Sequence, residues 1–283
     1  MEHVEAKAEG LVVNRRKRVW SGHPFKRDMR LYPNPTGPKS EAVHLIRFRD
    51  QDHKIIAAFW NFGCHTLTHH NRAHISADFP GAVRLKLRQA CGAENLPVLF
   101  LQGFSGNILP QKYNESWLRR NPADLLNRIF YGPSFGQFTL PKQTFWRNTL
   151  ADAVVEMVHS DGIRLKPLLD LRTVTFPLNQ LLDHVPEKRS VQITQLLLSE
   201  ELSLLAVTAE VMTEYVSTFK AIFSNTKIIP VSCVDDSFGY LPLNKQVKEG
   251  GYETRRFFGP FGLAEASFRT DAEQRFLENG QRL

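Results

Sequence analysis

The chain has 283 residues, 42% hydrophobic and 23% charged, an ordinary globular profile that excludes global disorder. No apolar run approaches the roughly 20 residues of a bilayer-crossing helix, and the polar start MEHVEAKAEG is not a signal peptide, so a true start at Met1 implies a cytoplasmic product. The net charge of +7 is scattered apart from Arg15-Arg16-Lys17-Arg18, which reads as a solvated basic loop without a nucleic-acid motif, and the three single cysteines argue against both a disulfide framework and a Cys-based metal site.

Residues 1–40 read as irregular, with the basic run followed by Pro33, Pro35, Gly37 and Pro38. From residue 41 a domain pattern begins. Ala42–Phe48 and Lys54–Phe62 are expected to be strands separated by an Asp/Gln turn, the second apolar enough to be central. Asp78 is expected to cap a helix running to about Cys91, with Phe79, Val83, Leu87 and Ala90 on one face and Gly92 as its stop. Pro97–Leu101 is a short buried strand. Residues 111–144 are irregular except for a short helix near Asp124–Ile129, and Gln143–His159 is an amphipathic helix. Further strands are expected at Leu169–Pro177, Val191–Ser199, Leu202–Thr208 and Thr226–Val234, with helices at Val211–Phe223 and near Ala264–Phe276. Strands alternating with helices through short turns imply an α/β fold, a mixed β-sheet flanked by helices in one domain over residues 41–283.

Polar residues of unusual type follow four of these strands. His65 follows 54–62; Gln102, Gly103, Ser105 and Asn107 follow 97–101; Glu210 follows 202–208; Tyr240 follows 226–234. Strand ends in open α/β sheets converge on a crevice where ligands bind. An imidazole, a carboxylate and a phenol are N/O donors of the kind a catalytic zinc ion takes, leaving one position for water. Each also has a plainer reading. His65 could be a satisfied core histidine, Glu210 a helix-start carboxylate and Tyr240 a turn aromatic. His69, His70 and His74 read as loop residues, since the Glu of H-E-x-x-H is missing. Gly103, Gly106 and Gly251 read as backbone-geometry positions.

The segments around these residues carry a resemblance. Asn61-Phe62-Gly63-Cys64-His65-Thr66, followed by Ile75-Ser76-Ala77-Asp78-Phe79-Pro80-Gly81, resembles the zinc-histidine segment of the neutral ceramidase family and the start of its next helix. Residues 100–110, FLQGFSGNILP, are similar to that family's glycine-rich loop. Val207-Thr208-Ala209-Glu210 is similar to its zinc-glutamate segment. Gly239-Tyr240-Leu241-Pro242 and Gly250-Gly251-Tyr252-Glu253 are similar to its paired tyrosines, with the same twelve-residue interval, and Asn14-Arg15 matches its Asn-Arg dipeptide. The resemblance implies a ceramidase-like, zinc-dependent amidohydrolase cleaving an N-acyl amide, lipid in the family, by a metal-activated water. His65, Glu210 and Tyr240 would be the Zn2+ ligands, Tyr252 would donate to the carbonyl oxygen, and Arg15 would line the site.

Two departures accompany it. The family's first zinc histidine lies in a Thr-His-Thr-His segment well upstream of the Asn-Arg dipeptide, whereas only thirteen residues precede Asn14 here, and His3 has neither the context nor the distance. This implies a domain lacking its N-terminal portion, in which irregular residues 1–40 once ran between other elements. Leu109 stands where characterised ceramidases place a serine before the proline. The alternative function is therefore a catalytically impaired or inactive remnant of the family. Nucleic-acid binding is a third reading, which strong salt-dependent DNA binding would be needed to revive.

Overall fold

The computed structural model describes residues 1–20, 27–71, 73–112, 131–185 and 188–283. Five strands open the chain: β1 (Glu2–Lys7), β2 (Val12–Trp20), β3 (Arg27–Asn34), β4 (Ala42–Arg49) and β5 (Ile55–Phe62). Helix α1 (Asp78–Ala90), β6 (Val98–Gln102), β7 (Ile108–Pro110) and the long α2 (Leu140–His159) follow. Next come β8 (Ile163–Arg164), β9 (Asp170–Pro177), β10 (Leu182–Asp183), β11 (Ser190–Leu197), β12 (Leu202–Val207) and β13 (Glu210–Val211). The remaining elements are α3 (Tyr215–Ile222), β14 (Lys227–Val231), β15 (Tyr240–Leu241), α4 (Asn244–Glu249), α5 (Tyr252–Arg255), β16 (Ser267–Phe268) and α6 (Ala272–Gly280). The short helix expected near Asp124–Ile129 lies outside the described residues.

Two mixed sheets face each other. The first has the order β6-β5-β4-β1-β8, with β5 and β6 parallel and the other pairs antiparallel. The second is β14-β12-β11-β9, with β12 and β14 parallel. Period-2 alternation sends adjacent residues of one strand to opposite layers. Leu45 joins Trp60, Phe79, Val83, Trp146, Leu150 and Val154 in a core between the first sheet and α1 and α2. Its neighbour Ile46 joins Leu202, Leu204, Ile229 and Val231 between the two sheets. Beyond the second sheet, Ile193, Leu205 and Val207 pack with Tyr215 and Phe219 of α3 and Phe276 of α6. The layers are thus helices, sheet, sheet, helices, and each fully buried large apolar side chain contributes on the order of 2–3 kcal/mol. Asn61 ties the sheets together, donating from Nδ2 to the Leu101 and Pro230 carbonyls at 2.9 and 2.7 Å.

The α/β class and mixed pairing match the expectation, while among the described residues the strands divide over five sheets, three of them small. The irregular reading of residues 1–40 is corrected. β1 pairs along its whole length with β4, and β2 and β3 form a three-stranded sheet with β7. The solvated basic loop is corrected with it, since Arg15 and Arg16 on β2 are each only 5% exposed. Their charges are met by Glu253, far along the chain, so the stretch looks too polar for a buried strand when read locally. The helix expected from Val211 begins later, because Glu210 and Val211 pair as β13 with β15. The last helix is also displaced, starting at Ala272. Asp78, expected to cap α1, is instead its first residue, with Ala77 in the N-cap position. Its carboxylate accepts from the backbone N–H of Thr68, His69 and Phe79 and from the Thr68 hydroxyl, fastening the preceding loop to the helix.

Candidate functional site

Interlocked backbone segments bring the strand ends together. The Ile108 carbonyl accepts from the His65 N–H at 3.3 Å, the Val211 carbonyl from Gly106 N–H at 2.8 Å, and the Gly239 carbonyl from Glu210 N–H at 2.7 Å. Glu210 and Tyr240 are register partners in the parallel β13–β15 pair, so their side chains leave the backbone side by side. Two glycines permit this closeness. A Cβ on Gly106 would stand 2.7 Å from the Glu210 carbonyl oxygen, and Gly239 has φ +109° where a Cβ would strike the Phe257 ring at 2.2 Å.

His65, Glu210 and Tyr240 converge. His65 Nε2 is 3.2 Å from Glu210 Oε2 and 3.5 Å from the Tyr240 hydroxyl. His65 Nδ1 lies 2.9 Å from the Ile108 carbonyl, which can only accept, so Nδ1 carries the proton. That bond orients the ring and points Nε2 at the carboxylate. A neutral imidazole then sets a lone pair against carboxylate lone pairs. The contact is favourable only with a positive species between them, a proton on Nε2 or a cation.

Electrostatics agree with a site built around charge. Burial opposes ionisation of Glu210, but its hydrogen bond and charge interaction with His65, helped by Tyr240 and Arg15, outweigh that and hold its pKa below the ordinary carboxylate value. Burial pushes the Tyr240 phenol well up, with Glu210 adding to the shift and Arg15 opposing it, so it stays protonated. Arg15 lies over both phenol rings, its guanidinium carbon 5.2 Å from the Tyr240 centroid and 5.6 Å from that of Tyr252. Glu253 fixes it, accepting from Arg15 Nε at 2.8 Å and from Arg16 Nη1 at 2.7 Å. Arg15 Nη2 is buried without a hydrogen-bond partner among the described residues. The Tyr252 ring is 5.8 Å from that of Tyr240.

His65 and Glu210 line a cavity of about 480 Å3 with Thr66, Ser105, Ser232 and Cys233. All five residues singled out in the sequence (Arg15, His65, Glu210, Tyr240 and Tyr252) therefore meet in one place. His3 lies elsewhere, buried and stacked on His44 at 5.4 Å between ring centroids. His69, His70 and His74 are in a loop, with His70 Nδ1 2.7 Å from Gln143 Oε1. Sequence reasoning passed over Glu253 as a functional residue. A buried acid beside Tyr252 and two consecutive arginines on a strand were the available signals.

No protein-family model matches the chain, and no curated protein does. Among solved structures it is similar to neutral ceramidase from Pseudomonas aeruginosa, with a TM-score of 0.62 at 12% identity, over 98% of this chain and 50% of that one. A ceramidase complexed with C2 is similar to the same degree, with a TM-score of 0.62 at 11% identity, over 98% and 52%. The fold is ceramidase-like. This chain spans about half the length of those two ceramidases.

Among the described residues no group of three or more His, Cys, Asp or Glu is placed to hold a metal ion. The convergent set has two such residues and takes a phenol as its third donor. In a tetrahedral zinc site with bonds of about 2.0–2.1 Å, neighbouring donors stand about 3.3–3.4 Å apart. The contacts of 3.2 and 3.5 Å from His65 Nε2 bracket that spacing, so the His65–Glu210 and His65–Tyr240 edges fit a small divalent cation.

Proposed function

We propose that this chain is a ceramidase-like amidohydrolase domain that binds a divalent cation, zinc by donor type, through His65, Glu210 and Tyr240, and cleaves an N-acyl amide of lipid type. The observation that carries the reading is the facing of His65 Nε2 and the Glu210 carboxylate at 3.2 Å, with the Tyr240 hydroxyl 3.5 Å from the same nitrogen, beside an open cavity. Bound there, zinc would supply an acidified water near neutral pH. The protein's own groups do the rest. The Ile108 carbonyl fixes the His65 tautomer, and Glu210 supplies negative charge to the centre. Tyr252, 37% exposed, and Arg15 Nη2, buried without a hydrogen-bond partner among the described residues, would donate to an oxygen that gains negative charge.

The test has two readouts on the full chain. Zinc should raise the melting temperature of the wild-type protein, by about 2.7 kcal/mol of added stability at 100 times its Kd. His65→Ala and Glu210→Gln should abolish the shift. The zinc-loaded protein should hydrolyse members of an N-acyl amide panel, while the two variants do not. Stabilisation that survives both substitutions would remove the proposed ligand set. A wild-type protein that binds zinc through these residues but hydrolyses no amide would leave the catalytically inactive reading.

A further inference from the structure

Tyr252 has a second environment. Besides facing Tyr240 and Arg15, it lines a cavity of about 550 Å3 that shares no lining residue with the one holding His65 and Glu210. One wall is β3, through Met29, Leu31 and Tyr32; the other is the segment 249–256. Gly251, at φ +110°, lets these walls meet, because a Cβ there would stand 3.2 Å from Met29 Cγ and 3.1 Å from Arg16 Nη1.

The charges in this cavity do not cancel. Its lining carries Arg30, Arg255 and Arg256 against Asp28 and Glu249. Asp28 is 3.9 Å from Arg30, and Glu249 is 3.5 Å from the buried Arg16. Both acids are thus engaged. Arg255 and Arg256 are exposed, and neither side chain has an ion pair, hydrogen bond or ring contact among the described residues. A guanidinium offers five N–H donors in a planar fork that matches carboxylate, sulfonate or phosphate oxygens. Two of them open into a concave site whose border is the phenol placed to donate to the reacting carbonyl.

We infer that this cavity receives one arm of the amide substrate, and that Arg255 and Arg256 select an arm ending in an anionic group. The inference rests on the amidohydrolase reading. Water-exposed arginines with no ligand are the alternative, and they would show no discrimination between probes of matched shape.

Binding of two probe pairs to the zinc-loaded full chain tests it. N-decanoyltaurine against N-decanoylethanolamine places the charge on the amine side. N-decylsuccinamic acid against its methyl ester places it on the acyl side. In at least one pair the anionic probe should bind about tenfold tighter, the scale of a hydrogen bond to a charged group. That ratio should fall towards one in Arg255→Gln/Arg256→Gln, and in wild type at high salt. Ratios near one in both pairs, no detectable binding of any probe, or a ratio unchanged in the double variant would each overturn the inference. Circular dichroism and melting temperature verify that the variant is folded, which these exposed positions favour. A large ratio that collapses in the variant, with no probe hydrolysed, supports the cavity and counts against the amidohydrolase reading. Hydrolysis of both members of a pair at equal kcat/KM does the reverse.

Discussion

Glu253→Ala is expected to destabilise the protein severely while removing nothing from the proposed cation ligands. Glu253 is 1% exposed, and its two oxygens meet Arg15 Nε at 2.8 Å and Arg16 Nη1 at 2.7 Å. The side chains of Arg15 and Arg16 are 6% and 4% exposed, so truncating the acid strands two guanidinium groups out of water. Removing one partner of a buried ion pair costs about 3–5 kcal/mol. Arg16 keeps part of its support, because Nη2 still donates to the Gly250 carbonyl at 2.9 Å, which argues for the lower half of that range. At roughly 2–4 °C per kcal/mol for a chain of this size class, the melting temperature should fall by about 6–15 °C. Urea unfolding should show the same loss as a lower midpoint at constant m. Glu253→Gln sharpens the measurement. It keeps volume and one acceptor but turns an amide –NH2 towards a guanidinium, so it should recover only a minor share. A buried pair is little screened, so the deficit should persist at high salt. If Glu253→Gln is as stable as wild type, pairing of charge is not what holds Arg15 over the two tyrosines.

Three further outcomes are expected. Burial is the main cause that pushes His3 down to about 4 and His44 to about 3, from an ordinary value of 6.5. The unfolded chain therefore takes up protons first as pH falls, and stability present above pH 6.5 is lost between about 6.5 and 4, by about 3 kcal/mol for His3; acid unfolding should steepen there and flatten in His44→Gln. Gly239→Ala combines φ +109° with a Cβ 2.2 Å from the Phe257 ring, so it should cost at least about 2–3 kcal/mol and weaken the zinc-induced shift by displacing Tyr240; an unchanged shift would separate the turn from the site. Tyr252→Phe should lower kcat on a hydrolysed N-acyl amide by roughly 100- to 1000-fold while leaving zinc stabilisation intact, and equal activity would exclude the phenol as donor.

What could be read from the sequence follows from how local each signal is. β5, α1 and α2 carry their own periodicity, with Phe79, Val83 and Leu87 spaced to bury one helix face. The strands β9 and β11 alternate visibly, and β12 is a short apolar run. Residues 1–40 do not, because their structure is bought by distant partners: β1 needs β4, β2 needs β7, and Arg15 needs an acid 238 positions away. At Glu210 the local pattern favoured a helix start, and pairing with Tyr240 overrode it. His65, Glu210 and Tyr240 were legible because each was expected after a strand, and Arg15 and Tyr252 because each sits in a segment that carries the resemblance. Of their supports, the Ile108 carbonyl was not, since a backbone acceptor leaves no mark on residue type, and Glu253 was passed over because its partners Arg15 and Arg16 lie 238 and 237 positions away.

Those supports explain how such a site persists in a folded protein. A buried carboxylate, an inward-turned ring nitrogen and a guanidinium nitrogen without a hydrogen-bond partner among the described residues each cost free energy when desolvated. Left on mobile loops they would turn to solvent. Here each is held from behind: His65 by the Ile108 carbonyl at Nδ1, Glu210 by its backbone bond to Gly239 and its pairing with Tyr240, Arg15 by Glu253. Two of the holding segments are themselves joined, since Gly106 N–H reaches the Val211 carbonyl and Asn107 Nδ2 reaches Glu214 at 2.8 Å. Turning His65 or Arg15 outwards would break its side-chain bond to the Ile108 carbonyl or to Glu253. The arrangement therefore keeps His65 Nε2, the Glu210 carboxylate and the Tyr240 hydroxyl close together, which is the condition under which a bound cation would gain the most from them.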